Sequence, residues 1–260
     1  MIRKLTEIDC LNICKDYQSN MSYKELSNKY GVSTWSVGNV LKKNNIKSRI
    51  RKHQCNENYF EKIDEHQKAY WLGLLFSDGY VRKRKQMNGK HKQGGTVGIS
   101  LKNGDQYLLE KLISDLDSSY TLRKQSKDEF LSYKLEINSV KMTDDLIKLG
   151  CVLNKSLVLT PPKLNYKYIS HFIRGYFDGD GSIGKYENRY KVTFLGTNDL
   201  LLWILNFFKQ KGMTSTPKIS KRKNIYLLQI NSQNDIELVK NILYDSSGDH
   251  YLKRKKEKFN

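Results

Sequence analysis

The spacing of apolar positions predicts three short helices at the start of the chain. A first helix is indicated over residues 7–20 by apolar side chains at near-helical intervals: Ile8, Leu11, Ile13 and Tyr17. Ser22 stands three residues before Glu25, a capping-box pattern for a second helix that runs to about Tyr30. After a short glycine turn, Ser33 is placed to cap a third helix with a buried stripe: Val37, Val40 and Leu41.

Two helices around a short glycine turn are typical of a helix-turn-helix unit, and residues 25–33 resemble the start of resolvase-type units. The third helix would expose six side chains, of which the first, third and fourth are our candidate DNA contacts: Thr34, Trp35, Ser36, Asn39, Lys42 and Lys43. Residues 1–52 carry eleven Lys or Arg and four Asp or Glu, which favours docking on phosphates. Small three-helix units also mediate protein contacts, and this is the alternative interpretation of residues 1–52.

A polar stretch, residues 53–66, is predicted to be a linker. Beyond it the pattern helix, hairpin, helix, hairpin, helix occurs twice, in residues 67–163 and 164–260. We therefore predict an α+β fold: two pseudo-symmetric αββαββα halves, each with a four-stranded antiparallel sheet, forming a saddle that can straddle a duplex. The hairpins supply further candidate DNA contacts: Arg82, Arg84, Lys85, Lys90, Lys92, Lys218, Lys221 and Arg222.

The first helix of each half is apolar and carries an interior glycine, Gly73 or Gly175. A glycine inside a helix costs about 1 kcal/mol relative to alanine, so two at matching places indicate close approach of another backbone. Five positions later each helix ends in an aspartate followed by glycine, at Asp78 and Asp180. If the helices cross at the glycines, the two carboxylates come together.

An aspartate in the last turn of a helix faces the negative end of the helix dipole, which a bound cation would offset. Carboxylates without a Cys/His cluster favour a hard ion, so we expect Mg²⁺ or Mn²⁺ here. Residues 178–182 also begin like a calcium loop. That reading fails because Ile183, Lys185 and Arg189 stand where the loop needs glycine, an apolar residue and glutamate.

Residues 71–79 and, more closely, residues 173–181 resemble the two motifs of single-chain LAGLIDADG homing endonucleases. The first departs from the pattern at Phe76 and Ser77. The resemblance implies that the motif helices form the interface between the halves, that Asp78 and Asp180 bind the catalytic metal next to Gly79 and Gly181, and that Lys155 and Lys255 order solvent or stabilise charge. Lys253 or Lys256 could serve in place of Lys255.

The same resemblance implies a site-specific double-strand break across the minor groove that leaves short 3′ overhangs. Composition agrees with a polyanionic partner, since 46 basic and 27 acidic residues give a net charge of +19. Four cysteines without paired spacing and five scattered histidines favour neither a disulfide framework nor a zinc site.

No apolar run of membrane-spanning length and no signal peptide are present, so we expect an intracellular protein. The family resemblance implies a monomer that acts on double-stranded DNA in a bacterial, phage or organellar setting. Three alternatives remain: a maturase that binds intron RNA on the same scaffold, a transcription regulator, and a structural DNA-bridging protein.

Overall fold

The computed structural model describes residues 5–47, 53–84, 94–127, 130–152, 158–186 and 189–259. The chain divides into two compact units, Met1–Lys52 and His53–Asn260, and each has its own hydrophobic core. Within the described ranges, no helix has the length and apolar character needed to cross a membrane.

The first unit contains α1 (Glu7–Gln18), α2 (Tyr23–Tyr30) and α3 (Thr34–Lys43). Capping boxes at Thr6 and Ser22 begin the first two helices, and Gly31 ends α2 in the left-handed conformation. The stripe predicted on α3 is buried. On α1 the predicted stripe is wrong in part, because Ile8 and Leu11 are 71% and 58% exposed. The buried side of that helix is instead formed by Ile13, Cys14 and Tyr17.

The described residues of the first half of the second unit form three helices and four strands: α4 (His66–Ser77), β1 (Gly79–Arg84), β2 (Gly94–Lys102), α5 (Gln106–Asp115), β3 (Arg123–Lys127), β4 (Phe130–Asn138) and α6 (Val140–Lys148). Its strands form one antiparallel sheet in the order β1-β2-β4-β3. The predicted αββαββα sequence is therefore present.

The second half repeats these elements: α7 (Ile169–Asp180), β5 (Gly181–Tyr186), β6 (Arg189–Gly196), α8 (Asn198–Gln210), β7 (Ile219–Arg222), β8 (Ile225–Ile230) and α9 (Gln233–Tyr244), followed by the single-turn helix α10 (Lys253–Lys256). Its strand order, β5-β6-β8-β7, is equivalent to that of the first sheet. The predicted α+β class with two repeated halves is confirmed.

Each sheet has a core face and an open face, because side chains alternate along a strand. Core-face residues such as Val97, Ile99, Val192 and Phe194 are at most 4% exposed and join the helices in one core. The open face of the first sheet carries Tyr80, Arg82, Ser100, Arg123, Lys134 and Glu136. The open face of the second sheet carries Ser182, Lys191, Thr193, Leu195, Ser220, Arg222, Leu227 and Gln229.

Residues 53–66, where the sequence predicts a linker, belong to the second unit. Tyr59 and Phe60 are 5% and 1% exposed and lie in its core. The backbone amide of Asn56 also donates to the carbonyl of Leu116 at 2.8 Å. Because the residues around this aromatic pair are polar, the sequence shows no apolar pattern there. The segment packs on the core because the two rings bury a large apolar area.

Candidate functional site at the helix pair

Helices α4 and α7 meet in backbone contact at their interior glycines. A Cβ atom added to Gly73 would lie 2.0 Å from the carbonyl oxygen of Phe172, and one added to Gly175 would lie 2.0 Å from that of Tyr70. The equal distances reflect the pseudo-twofold relation of the two helices. No side chain fits at either position, which explains why both helices accept the cost of an interior glycine.

The two motif aspartates lie where the paired helices end. Asp180 is the last residue of α7 and is half-buried, whereas Asp78 directly follows α4 and is exposed. A Cβ atom added to Gly179 would lie 1.9 Å from the hydroxyl of Ser77 and 3.2 Å from the carboxyl carbon of Asp78. The end of α7 therefore packs directly against the end of α4.

Lys255 is buried beside these two carboxylates. Burial lowers the pKa of its ammonium group to about 8, while the charges of Asp178, Asp78 and Asp180 act in the opposite direction. Its ammonium group donates to the carbonyls of Gly179 and Gly181, which flank Asp180, and Gly179 packs against the end of α4 at Asp78, so the lysine lies close to both motif aspartates. At neutral pH this lysine is still mostly protonated, so the site contains a fixed cation.

The ammonium group of Lys255 caps the C-terminal end of α7. It donates to the carbonyl oxygens of Phe177 at 2.6 Å, Gly179 at 3.1 Å and Gly181 at 2.6 Å, which uses all three of its hydrogens. Its side chain is only 6% exposed. A cation at this end of a helix also offsets the helix dipole.

This geometry separates Lys255 from its neighbours. Lys253 is exposed, with its ammonium 4.9 Å from the ring centre of Tyr107, and Lys256 lies 4.3 Å from that of Tyr251. Of these three lysines, Lys255 is the one that contacts α7. The other predicted lysine, Lys155, falls outside the described residues.

The final glycines of both motifs have a structural role. A Cβ atom at Gly79 would lie 2.6 Å from the side chain of Leu75, and one at Gly181 would lie 2.1 Å from the ring of Phe177. Both glycines thus allow the chain to turn directly from helix into strand. The carbonyl of Gly181 already accepts from Lys255, so this predicted metal neighbour is engaged with a cation of the protein itself.

Asp178 is a buried acid whose sequence context indicates only a segment that begins like a calcium loop. Its Oδ2 accepts from the hydroxyl of Tyr70 at 2.7 Å and from the amide of Leu252 at 2.8 Å, while Oδ1 has no hydrogen-bond partner. Burial raises its pKa to about 6, against those two hydrogen bonds. Since Leu252 immediately precedes α10, Asp178 fixes the segment that carries Lys255.

Arg174, also missed from the sequence, holds the same C-terminal segment. Its guanidinium is 1% exposed and donates to the carbonyls of His250 and Leu243 at 2.8 and 3.0 Å, and to Nδ1 of His171 at 3.0 Å. An arginine inside an apolar helix was the available sequence signal, because a buried charge needs such partners. His250 in turn contacts Asp115 at 2.7 Å.

The predicted DNA contacts are spread over several surfaces. Arg82 lies on the open face of the first sheet, 4.8 Å from the ring centre of Tyr80. Lys218 and Arg222 line an open concavity on the second sheet together with Ser220, Gln229 and Asn231. The strand alternation directs Lys221 to the opposite face. Lys85, Lys90 and Lys92, and the side chain of Arg84, lie outside the described part of the chain.

On α3 the predicted contacts differ in exposure. Thr34 is exposed, whereas Ser36 and Asn39 are half-buried. The amide and hydroxyl of Ser36 both contact the capping hydroxyl of Ser33, at 3.1 and 2.9 Å, so this side chain is already used within the helix.

Two carboxylates match the donor set that Mg²⁺ uses, since this ion takes one or two carboxylates and fills its remaining positions with water or substrate oxygens. Among the described residues no three His, Cys, Asp or Glu side chains gather into a metal-holding group.

Comparison with family models identifies the second half: residues 167–243 match the LAGLIDADG-like domain. These residues include the whole of α7 and continue into α9. The matched residues include the second motif, residues 173–181, which contains Asp180. Comparison with curated protein sequences finds no significant match.

Comparison with solved structures gives matches that include three DNA-bound proteins. Meganuclease I-SmaMI bound to uncleaveable DNA is 16% identical, over 65% of this chain and 80% of its own, with a TM-score of 0.45. I-DmoI in complex with DNA and Ca is 20% identical, over 76% and 94%, with a TM-score of 0.48. The LAGLIDADG meganuclease I-CpaMI bound to uncleaved DNA is 12% identical, over 73% and 87%, with a TM-score of 0.49.

Proposed function

We propose that this protein is a site-specific DNA endonuclease that makes a metal-dependent double-strand break in a long asymmetric target. The observation that carries the proposal is the meeting of Asp78, Asp180 and Lys255 at the ends of two helices in backbone contact. The LAGLIDADG-like match of the second half and the net charge of +19 support it.

In this proposal Asp78 and Asp180 would hold Mg²⁺ at the scissile phosphates. The ion, when bound, activates water at neutral pH and offsets charge that develops on the phosphate. The carboxylates alone cannot act on DNA, because they are anionic like the substrate. Their position at helix ends that lie side by side keeps both acids within one active centre.

Lys255 supplies the fixed positive charge of the proposed centre. Its three hydrogens are directed at backbone carbonyls, so it acts through its field and by holding the end of α7 rather than by donating to substrate. Asp178 is a positioning residue, since its carboxylate accepts from the amide of Leu252 and so holds the segment that carries Lys255.

The open faces of the two sheets are the proposed DNA-binding surfaces. Their residues differ: Tyr80, Arg82 and Glu136 on one sheet, and Ser182, Thr193 and Gln229 on the other. Unlike surfaces recognise unlike half-sites, which favours an asymmetric target. The first unit, with its excess of basic residues and the exposed Thr34 and Trp35, would add contacts on flanking duplex.

The test begins with selection of cleaved duplexes from a randomised library in Mg²⁺, followed by sequencing of the cut ends. The recovered duplex should be cut on both strands with Mg²⁺ or Mn²⁺, whereas excess chelator should abolish cutting. Asp78→Asn and Asp180→Asn should bind with near-normal affinity and fail to make the double-strand break. Glu237→Gln, an exposed acid on α9, is the matched control and should cut normally.

Cleavage that persists in chelator, or in both Asn variants, would remove the carboxylate pair from the chemistry. Binding of intron RNA in preference to the selected duplex, with splicing assistance and no cutting, would point to the maturase alternative.

A further inference from the structure

One cross-strand row differs in chemistry between the two sheets. On the second sheet Leu195 pairs with Leu227, which pairs with Ser220. The row begins at the residue that follows Phe194, the strand partner of the final motif glycine. The equivalent row of the first sheet follows Ile99 and consists of polar residues: Ser100, Lys134 and Arg123.

The two leucines are not required by the core. Leu195 is 37% exposed and Leu227 is half-buried, whereas their neighbours Phe194 and Leu228 are fully buried. Neither leucine is among the residues packed on the hydrophobic core. The first sheet keeps the same fold with serine and lysine at these positions, so the apolar pair needs another explanation.

The surroundings of this leucine pair fit a polyanion. Arg222 and Lys218 are exposed beside it, and Gln229 offers an amide on the same face. The described parts of β5, β6, β7 and β8 contain no Asp or Glu, so a basic protein would find no partner charge on these strands. The surface therefore combines positive charge, an amide and one small apolar area.

We propose that Leu195 and Leu227 form a contact site for thymine 5-methyl groups in the major groove, which makes them specificity-determining residues for one half-site. This inference rests on the proposed function. The thymine methyl is the apolar group that base pairs present in the major groove, alongside hydrogen-bonding edges suited to Gln229 and Arg222. The first sheet, with Ser100 and Lys134 at the same row, should lack this preference.

The test uses the duplex recovered from the randomised library. Each thymine is replaced in turn by deoxyuridine, which removes the methyl group and leaves every Watson–Crick hydrogen bond. On one side of the cleavage position, one or two replacements should weaken binding about fourfold each, the loss expected for one buried methyl group. In the Leu195→Ala and Leu227→Ala proteins, the same deoxyuridine replacements should cause almost no further loss of binding affinity.

Leu202→Ala is the matched control, because Leu202 is 42% exposed on α8, away from the sheet face. It should retain the full discrimination between thymine and uracil, and all three variants should show cooperative thermal unfolding. If the duplex is cut normally but no uracil replacement weakens binding, or if both sheet variants discriminate as the unmodified protein does, the inference is overturned and the endonuclease proposal stands. If no duplex is recovered, both fall.

Discussion

At the residue scale, the site depends on buried side chains that the two sequence motifs do not identify as functional. Besides the two motif aspartates, the site contains Asp178, Arg174 and Lys255, whose side chains are almost completely buried. These three tie α7 to the C-terminal segment through backbone carbonyls and one amide. A buried charge is stable only with such partners, so the site is sensitive to single substitutions.

The interface glycines provide the clearest test at this scale. Gly175→Ala would place a methyl group against the carbonyl of Tyr70, and Gly175→Leu would add far more volume, so the helices must separate. We expect Gly175→Ala to lower the free energy of unfolding by about 3 kcal/mol, the upper end for overpacked cores, and Gly175→Leu to abolish cleavage. Urea denaturation measures the first effect.

Gly184→Ala is the control, since a Cβ atom there would meet nothing within 4 Å. Its stability should stay close to that of the unmodified protein. Equal stability of the Gly175 and Gly184 alanine variants would contradict a backbone contact between the helices.

His171 offers a pH test. Burial lowers its pKa to about 3, and Arg174 and His66 add to that direction. Since the unfolded chain binds a proton near pH 6.5 and the folded protein does not, this histidine reduces stability as the pH falls below about 6.5 and has no effect above it. His171→Asn, which keeps an acceptor for Arg174, should remove up to about 1.4 kcal/mol of that loss per pH unit.

Urea unfolding at pH 7 and pH 5 measures this difference. Leu202→Ala, which changes an exposed apolar side chain on α8 and no titratable group, is the control and should leave the pH dependence unaltered. If His171→Asn and the unmodified protein lose the same free energy of unfolding between pH 7 and pH 5, the imidazole of His171 is protonated in the folded state.

At the scale of elements, α10 illustrates a helix that tertiary contacts create. Four residues, all basic, are too few to form a helix alone. The segment is held instead by Leu252, which is fully buried, by the hydrogen bond of its amide to Asp178, and by Phe259, which packs on Phe177 and Tyr244. The position of Lys255 is thus a property of the whole C-terminal segment.

Removing the acceptor at Asp178 should release this segment. Asp178→Ala leaves the buried amide of Leu252 and the hydroxyl of Tyr70 without a partner, at about 1–3 kcal/mol each. Trypsin should then cut rapidly after Lys253, Arg254 or Lys256, as mass spectrometry would reveal. Asp178→Asn keeps an acceptor and should be cut more slowly.

Asp249→Ala removes an exposed acid close by in the same segment and serves as the control, with no expected change in cutting. Resistance of Asp178→Ala to trypsin would mean that apolar packing alone holds the segment.

At the scale of the whole molecule, the two units have separate hydrophobic cores. Removal of residues 1–52 should therefore leave the unfolding of residues 53–260 nearly unchanged. It should also weaken binding to the selected duplex and reduce the salt dependence, because fewer phosphates are neutralised. Binding titrations at several salt concentrations measure this. Equal affinity of both forms at every salt concentration would assign the first unit another role.

Local patterns were sufficient for most of the fold. Capping boxes, the glycine turn and apolar periodicity predicted the three helices of the first unit, and the repeated order of elements predicted both halves of the second. The glycine and aspartate spacing in the two motifs also predicted a helix pair that meets at Gly73 and Gly175. These features depend on neighbours within a few residues, and a sequence displays such relations directly.

Only the tertiary structure decided which side chains are buried and which polar groups share a site. Ile8 and Leu11 are exposed although their spacing is helical, and Tyr59 and Phe60 enter the core from a polar segment. The roles of Asp178, Arg174 and Lys255 depend on partners about 70 or more residues away in the chain. The free energy of burying a charge is set by those distant partners, so no local pattern in the sequence determines it.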